Sequence, residues 1–262
     1  MTTATTPTTT TTLDTELLQA LVDRLLAMAD DEVILGHRDA EWTGHAPILE
    51  EDIAMANLAQ DEIGHALIWY QLIEDLTGQD PDQMVYFRDA PAYRNVQMVE
   101  LPKGDWAFTM LRQYLFDLYE RLLLDRLLTS AYRPLADAAA KIRREEIYHY
   151  RHTSTWVERL ALGTDESHRR MQAALDRLWP FAAQLFVPLS GDAALLAAGF
   201  FPAMDELRAA WQEAVHSFLT NMNLTLPQTR PVTAERDQHT HWLPILLGEM
   251  QMVARIEPDA AW

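Results

Sequence analysis

The chain has 262 residues, no cysteine and a formal net charge of −18, with 48% apolar and 23% charged residues. Those proportions suit a globular protein with one substantial domain, or one domain with a helical extension. Without cysteine there is no disulfide, thiolate-bound zinc, iron–sulfur cluster or thiol nucleophile, and an acidic chain with no basic stripe is not a nucleic-acid binder.

The opening MTTATTPTTTTT has neither a basic residue nor an apolar core, so it does not read as a secretory signal. Its threonines predict a disordered tail over 1–12, ahead of a single helical domain over 13–262. No apolar run reaches the roughly 18 to 20 residues that span a bilayer. The reading is a cytoplasmic protein with no membrane contact.

From Leu13 to Trp42, Leu17, Leu18, Leu21, Leu25, Met28 and Ile34 recur at helical spacing. The run Trp42-Thr43-Gly44-His45-Ala46-Pro47 ends that helix in a turn. A second helix is expected from about Ile48 to Leu76, closed by Gly78 and Pro81. Residues 79–104 read as a long crossover. Asp105 is the expected N-cap of a third helix running to about Ser130, and Arg133-Pro134 turns the chain into a fourth, ended by Gly163. Further helices are predicted near 165–186, 203–223 and 242–256. Two helical hairpins joined by one long connection form the ferritin-like topology. The expected class is all-α, a ferritin-like four-helix bundle with additional C-terminal helices.

Two segments carry chemistry. The second helix holds Asp61-Glu62-Ile63-Gly64-His65 and the fourth holds Glu145-Glu146-Ile147-Tyr148-His149. A glutamate three residues before a histidine puts both side chains on one helical face, where a carboxylate can bridge two metals and an imidazole can cap one. One such pair means little: Glu213 and His216 form a third, with no matching hairpin. The spacing is more specific. Glu62 to Glu146 and His65 to His149 are both 84 residues, and Glu32 in the first helix has a counterpart 85 residues on, Asp117 in the third. At 1.5 Å per residue, Glu32, Glu62, Asp117 and Glu146 each lie about 15 to 20 Å from their turns, so four acids reach one level of an antiparallel bundle.

Asp117 sits in the apolar run Tyr114-Leu115-Phe116-Asp117-Leu118, where an acid is costly to bury unless a metal or partner neutralises it. Glu120, one turn further, is the rival third-helix ligand. The expected metal ligands are therefore Glu32, Glu62, His65, Asp117, Glu146 and His149, with Glu62 and Glu146 as bridges. Carboxylates and imidazoles favour iron or manganese, a di-iron or other di-metal centre. Elsewhere, His45 is expected to cap its turn or pack on Trp42, and His37 and His152 to lie at the surface or support the site. Met55, Trp69, Trp156, Trp179 and Trp211 read as core.

Several further segments resemble a known family. Glu41-Trp42-Thr43-Gly44-His45-Ala46-Pro47, Arg112-Gln113-Tyr114 with Asp117, and Glu158-Arg159-Leu160 followed by Gly163-Thr164-Asp165 are similar to the C subunit (PaaC) of ring-1,2-phenylacetyl-CoA epoxidase. So are Leu178-Trp179, Leu207-Arg208-Ala209-Ala210-Trp211 and the ending Gly248-Glu249-Met250-Gln251…Trp262. The resemblance implies a multicomponent monooxygenase of phenylacetate breakdown. In it a catalytic A subunit holds a di-iron centre and epoxidises the aromatic ring of the CoA thioester. The C subunit shares the fold, pairs with A and is usually regarded as structural, and a reductase delivers electrons from NADPH. Structural C subunits commonly lack a complete ligand set. Here Gln60-Asp61-Glu62…Gly64-His65 and Glu145-Glu146…His149 are similar to the A subunit instead. The expectation is a hetero-oligomer with the A subunit, with a homo-oligomer left open, in which this chain holds its own metals. One alternative is a purely structural subunit, in which the acids form a metal-free polar core and the chain only holds and orients A; another is an independent ferritin-like protein for iron handling or peroxide chemistry.

Overall fold

The computed structural model describes residues 13–258, so the expected threonine tail over 1–12 lies outside the described residues. Among these residues there are eleven α-helices and two 3-10 turns, and no strand.

The bundle consists of α1 (Thr15–Ala40), α2 (Leu49–Thr77), α5 (Trp106–Leu127) and α6 (Arg133–Ala161). Each end has a local cause. Asp14 caps α1 by accepting from Leu17 N at 2.7 Å, and Asp105 caps α5 by accepting from Phe108 N at 3.0 Å, both replacing orphan donors of a first turn. The α2 helix stops at Gly78, whose φ of 77° lies in the left-handed region that glycine enters without penalty. Pro134 in the first turn of α6 loses no helical hydrogen bond.

The loops over 41–48 and 128–132 are short, so α1 pairs with α2 and α5 with α6 as antiparallel hairpins. Side-chain contacts run in that sense: Gly36 of α1 meets α2 at Glu62, and Glu32 meets it at Trp69. The α2 and α6 helices meet across the bundle. This is the ferritin-like arrangement.

The crossover is more structured than a plain connection. It contains α3 (Pro81–Tyr86), a 3-10 turn at Ala90–Ala92, and α4 (Gln97–Glu100), which packs on α1. After the bundle come α7 (Asp165–Ala182), a 3-10 turn at Ala183–Phe186, α8 (Asp192–Ala197), α9 (Met204–Asn221), α10 (Trp242–Met250) and α11 (Met252–Ile256). The helix expected over 165–186 tightens to 3-10 at 183, three residues after Pro180, and the one expected over 242–256 breaks at Gln251, whose side chain donates to Val85 O and Arg88 O. These elements cover α1, α5 and part of α6.

Trp42, Trp106 and Trp156 stack edge to face near the first turn, and Trp42 Nε1 donates to Thr109 Oγ1 at 2.9 Å. The His45 ring is exposed and stays within its own turn, Nδ1 lying 3.1 Å from Thr43 O while His45 N donates to Trp42 O at 2.8 Å. Met55, Trp69 and Trp211 are buried, while Trp156 and Trp179 are half-buried. Among the described residues no helix is long and apolar enough to cross a membrane.

Candidate metal centre

Seven ionisable side chains from all four bundle helices are buried in one region: Glu32 of α1, Glu62 and His65 of α2, Asp117 and Glu120 of α5, and Glu146 and His149 of α6. Their ligand atoms form three groups, each lying within 4.8 Å: Glu32, Glu62 and His65; Glu62, Glu146 and His149; His65, Glu120 and Glu146. Glu62, Glu146 and His65 each belong to two groups, and of these the two carboxylates have the second oxygen that a bridge would need. Five of the six residues expected from the sequence fall in these groups. Asp117 does not, and Glu120 does.

The two acids of α5 differ in their partners. Asp117 Oδ1 accepts from Gln113 Nε2 at 2.9 Å and its Oδ2 accepts from Thr153 Oγ1 at 2.6 Å. Gln113 also donates to Glu62 Oε1 at 2.6 Å, so one amide orients two carboxylates. Glu32 Oε1 accepts from Trp69 Nε1 at 2.7 Å. The remaining oxygens, Oε2 of Glu32, Glu62 and Glu120 and both of Glu146, have no hydrogen-bond partner, and neither do Nδ1 of His65 and His149. His149 Nδ1 approaches Glu146 Oε1 to 2.7 Å without hydrogen-bond geometry, and His65 Nδ1 lies 3.6 Å from the same oxygen and 3.7 Å from Glu32 Oε2.

Buried polar atoms are normally paired, and an unpaired buried carboxylate carries a large desolvation cost. Here the orphans are all hard oxygens or imidazole nitrogens, gathered in one region. That donor set fits two divalent cations of the iron or manganese type. Holding them would satisfy atoms that here make close contacts with one another but no well-formed hydrogen bond.

The outer ring nitrogens are committed elsewhere. His65 Nε2 pairs with Glu145 Oε2 at 2.8 Å, and His149 Nε2 with Asp61 Oδ2 at 3.1 Å. An acid on the outer nitrogen fixes the tautomer, leaves Nδ1 to face a metal and raises its basicity. Asp61 and Glu145 thus orient the two imidazoles, a part that the sequence reading passed over. The signal was present, because each immediately precedes the glutamate of its motif. His152 continues the seam, 2.7 Å from Glu51 Oε2. The third glutamate–histidine pair, Glu213 and His216, lies exposed on α9, away from any such partner helix.

Electrostatics follow from burial. Desolvation pushes the Glu32 carboxyl up to about 8, with Glu62 adding to the shift and His65 and Trp69 opposing it. Burial and the nearby acids push Asp117, Glu120 and Glu146 up as well. Burial disfavours both imidazolium forms, but the carboxylates around them outweigh it and hold His65 and His149 above the usual histidine range. The hydrogen bond to His149 holds Asp61 below the usual carboxylate range. Five carboxyls in one buried region cannot all ionise without counter-charge.

Space beside the centre is scarce. The pocket between Met28, Asp31, Glu32, Phe116, Tyr119, Glu120, Leu123 and Leu124 has a volume of about 10 Å³, room for no more than about one water.

The family model described as "Phenylacetic acid catabolic protein" matches residues 1–262. The chain belongs to this family. It is 37% identical over 240 residues to the C subunit of 1,2-phenylacetyl-CoA epoxidase of Escherichia coli (strain K12), an alignment covering 90% of this chain and 97% of that relative. It is also 26% identical over 170 residues to the A subunit of the same epoxidase from the same organism, covering 65% of this chain and 55% of that relative. The likeness to the C subunit read from the sequence motifs is borne out over nearly the full length of both proteins.

Proposed function

We propose that this chain is the C-type subunit of a phenylacetyl-CoA epoxidase, pairs with a catalytic A-type partner, and holds two metal ions of its own. The near full-length similarity to the C subunit supports the complex. The single observation that carries the metal reading is the set of unpartnered carboxylate oxygens and the two unpartnered Nδ1 atoms in one buried region.

In this reading Glu32, Glu62, His65, Asp117, Glu146 and His149 would hold the two ions, with Glu62 and Glu146 the candidates to be shared between them. Bound as a reduced iron pair, such a centre supplies dioxygen activation, with electrons from the reductase component; manganese would fill the same donors. The chain's own contribution is to orient those donors: Gln113 and Thr153 aim the Asp117 and Glu62 carboxylates, and Asp61 and Glu145 aim the imidazoles. The pocket of about 10 Å³ beside Glu32 and Glu120 has no space for an aromatic ring, and this reading assigns epoxidation of the ring to the A-type partner. An independent iron-handling protein is disfavoured by the match to the C subunit across 97% of that relative.

Metal analysis of the purified chain after supplementation with iron or manganese tests the metal claim, with about two ions per chain expected. Less than about 0.2 per chain would remove it. Co-purification with the A-type partner tests the pairing, and a chain that assembles alone into a symmetric shell would sink it.

A further inference from the structure

We propose that Glu120 is a seventh protein ligand, at the Glu32–His65 end of the centre, making the two metal positions chemically unequal. The inference rests on the metal reading above and concerns which residues complete it. Asp117 and Glu120 lie three residues apart on α5, so both face the bundle interior a turn apart. Asp117 has a donor on each oxygen. Glu120 is 4% exposed, its Oε2 has no partner, and its carboxylate lies within 4.8 Å of His65 and Glu146 ligand atoms.

Among the described residues, no cation neutralises Glu120. The buried arginines beside neighbouring Tyr119 are engaged, Arg24 with Asp192 and Arg236 with Asp31. The other neighbours in the pocket are the apolar Met28, Phe116, Leu123 and Leu124, the Glu32 carboxyl, which is close enough to share a proton with Glu120, and Tyr119, whose buried hydroxyl has no partner. None of these is a cation, which leaves the His65 ring as the basic group at this end, and its Nε2 already serves Glu145. Its Nδ1 lies 3.7 Å from Glu32 Oε2 and 3.6 Å from Glu146 Oε1, and a ring nitrogen lies within 4.8 Å of a Glu120 oxygen. One proton there cannot serve three acids, whereas a divalent cation can accept an oxygen from each and the nitrogen as well. One end of the centre then has Glu32, Glu120 and His65 besides the bridges, and the other has Asp117 and His149. The first is richer in charge and poorer in open positions.

The test is a Co²⁺ titration of metal-free protein, read by visible absorption and by metal content after gel filtration, with thermal unfolding before and after loading. Wild type should take about two ions in distinguishable steps. Glu120→Gln should bind one ion normally and the other roughly tenfold or more weakly, since even an outer partner's loss costs about that much. Its metal-free form should melt no lower than wild type, because a buried unpaired acid is gone, while its metal-induced rise in Tm shrinks. Should Glu120→Gln not fold, Glu120→Asp, which withdraws the oxygens by one methylene, should show the same weakened step. If the folded variant takes two ions with wild-type affinity and an unchanged spectrum, Glu120 is only a protonated core acid and the proposal fails. If wild type itself takes no ion, the metal reading and this inference fall together.

Discussion

His65 and Glu145 belong to different hairpins, yet Glu145 Oε2 holds the outer nitrogen of His65 at 2.8 Å, and Asp61 returns the arrangement at His149 at 3.1 Å. Each motif therefore orients the other's imidazole, and neither hairpin has a finished site alone. Asp61→Asn or Glu145→Gln should lower divalent-metal affinity by roughly 10- to 100-fold. Both acids are partly exposed, so unfolding midpoints of the metal-free protein should move little. Calorimetric titration checks this. An unchanged affinity in both variants would show that the crossed pairs do not support a metal.

The metal-free protein should lose stability as pH rises towards 8. Burial raises Glu32 to about 8 and Asp39 to about 7, and holds Asp117, Glu120 and Glu146 above their ordinary values. For such groups the folded state binds more protons than the unfolded state between the two pKa values. Their contribution is complete below the unfolded pKa and lost on the way up to the folded one. The raised histidines act in the same direction. Metal displaces those protons, so its affinity should climb over the same window. Thermal scans from about pH 5 to 8.5, with and without Mn²⁺, check the sign; a metal-free midpoint that climbs towards pH 8 would contradict it.

Two helical glycines give opposite expectations. A Cβ on Gly36 would stand 2.9 Å from Glu62 Cβ and 3.1 Å from Ala59 O, whereas one on Gly64 would meet nothing within 4 Å. Gly36 is thus where α1 and α2 close around the buried Glu62. Gly36→Ala should destabilise by about 1–3 kcal/mol from overpacking, despite alanine's better helix propensity, and should weaken metal binding by shifting Glu62. Gly64→Ala should stabilise by up to about 1 kcal/mol. Urea denaturation of the two variants checks both, and equal effects would refute the close approach.

The bundle was legible because its four helices combine sustained periodicity with strong punctuation, at Gly44, Pro47, Gly78, Asp105 and Pro134. The equal offsets between the two motifs reported a duplicated hairpin before any contact was known. What the sequence hid was mostly partner choice. Spacing puts Asp117 and Glu120 on the same helical face, but cannot show that Gln113 and Thr153 occupy one and leave the other unpaired. Nor did short α8 stand out, because Asp192–Ala197 is too brief for a periodic signal and is held by Arg24 from α1. Long-range ion pairs leave no local trace at all.

Arg236 is the extreme case, since it comes from the irregular segment between α9 and α10 and reaches Asp31, the neighbour of Glu32. Its Nη1 donates to Asp31 Oδ2 at 2.7 Å and to Arg94 O at 3.0 Å, and Val96 N donates to Asp31 Oδ1 at 2.7 Å. Both side chains of the pair are 2% exposed. Removing one partner strands a buried charge, so Arg236→Met should cost about 3–5 kcal/mol, whereas combining it with Asp31→Leu should recover much of the loss. A double-mutant cycle in urea separates that coupling from general damage. Because Asp31 precedes Glu32 on α1, the single variant should also weaken metal binding at the Glu32 end. Additive losses in the cycle would show that the pair is not coupled and that the C-terminal segment does not brace the centre.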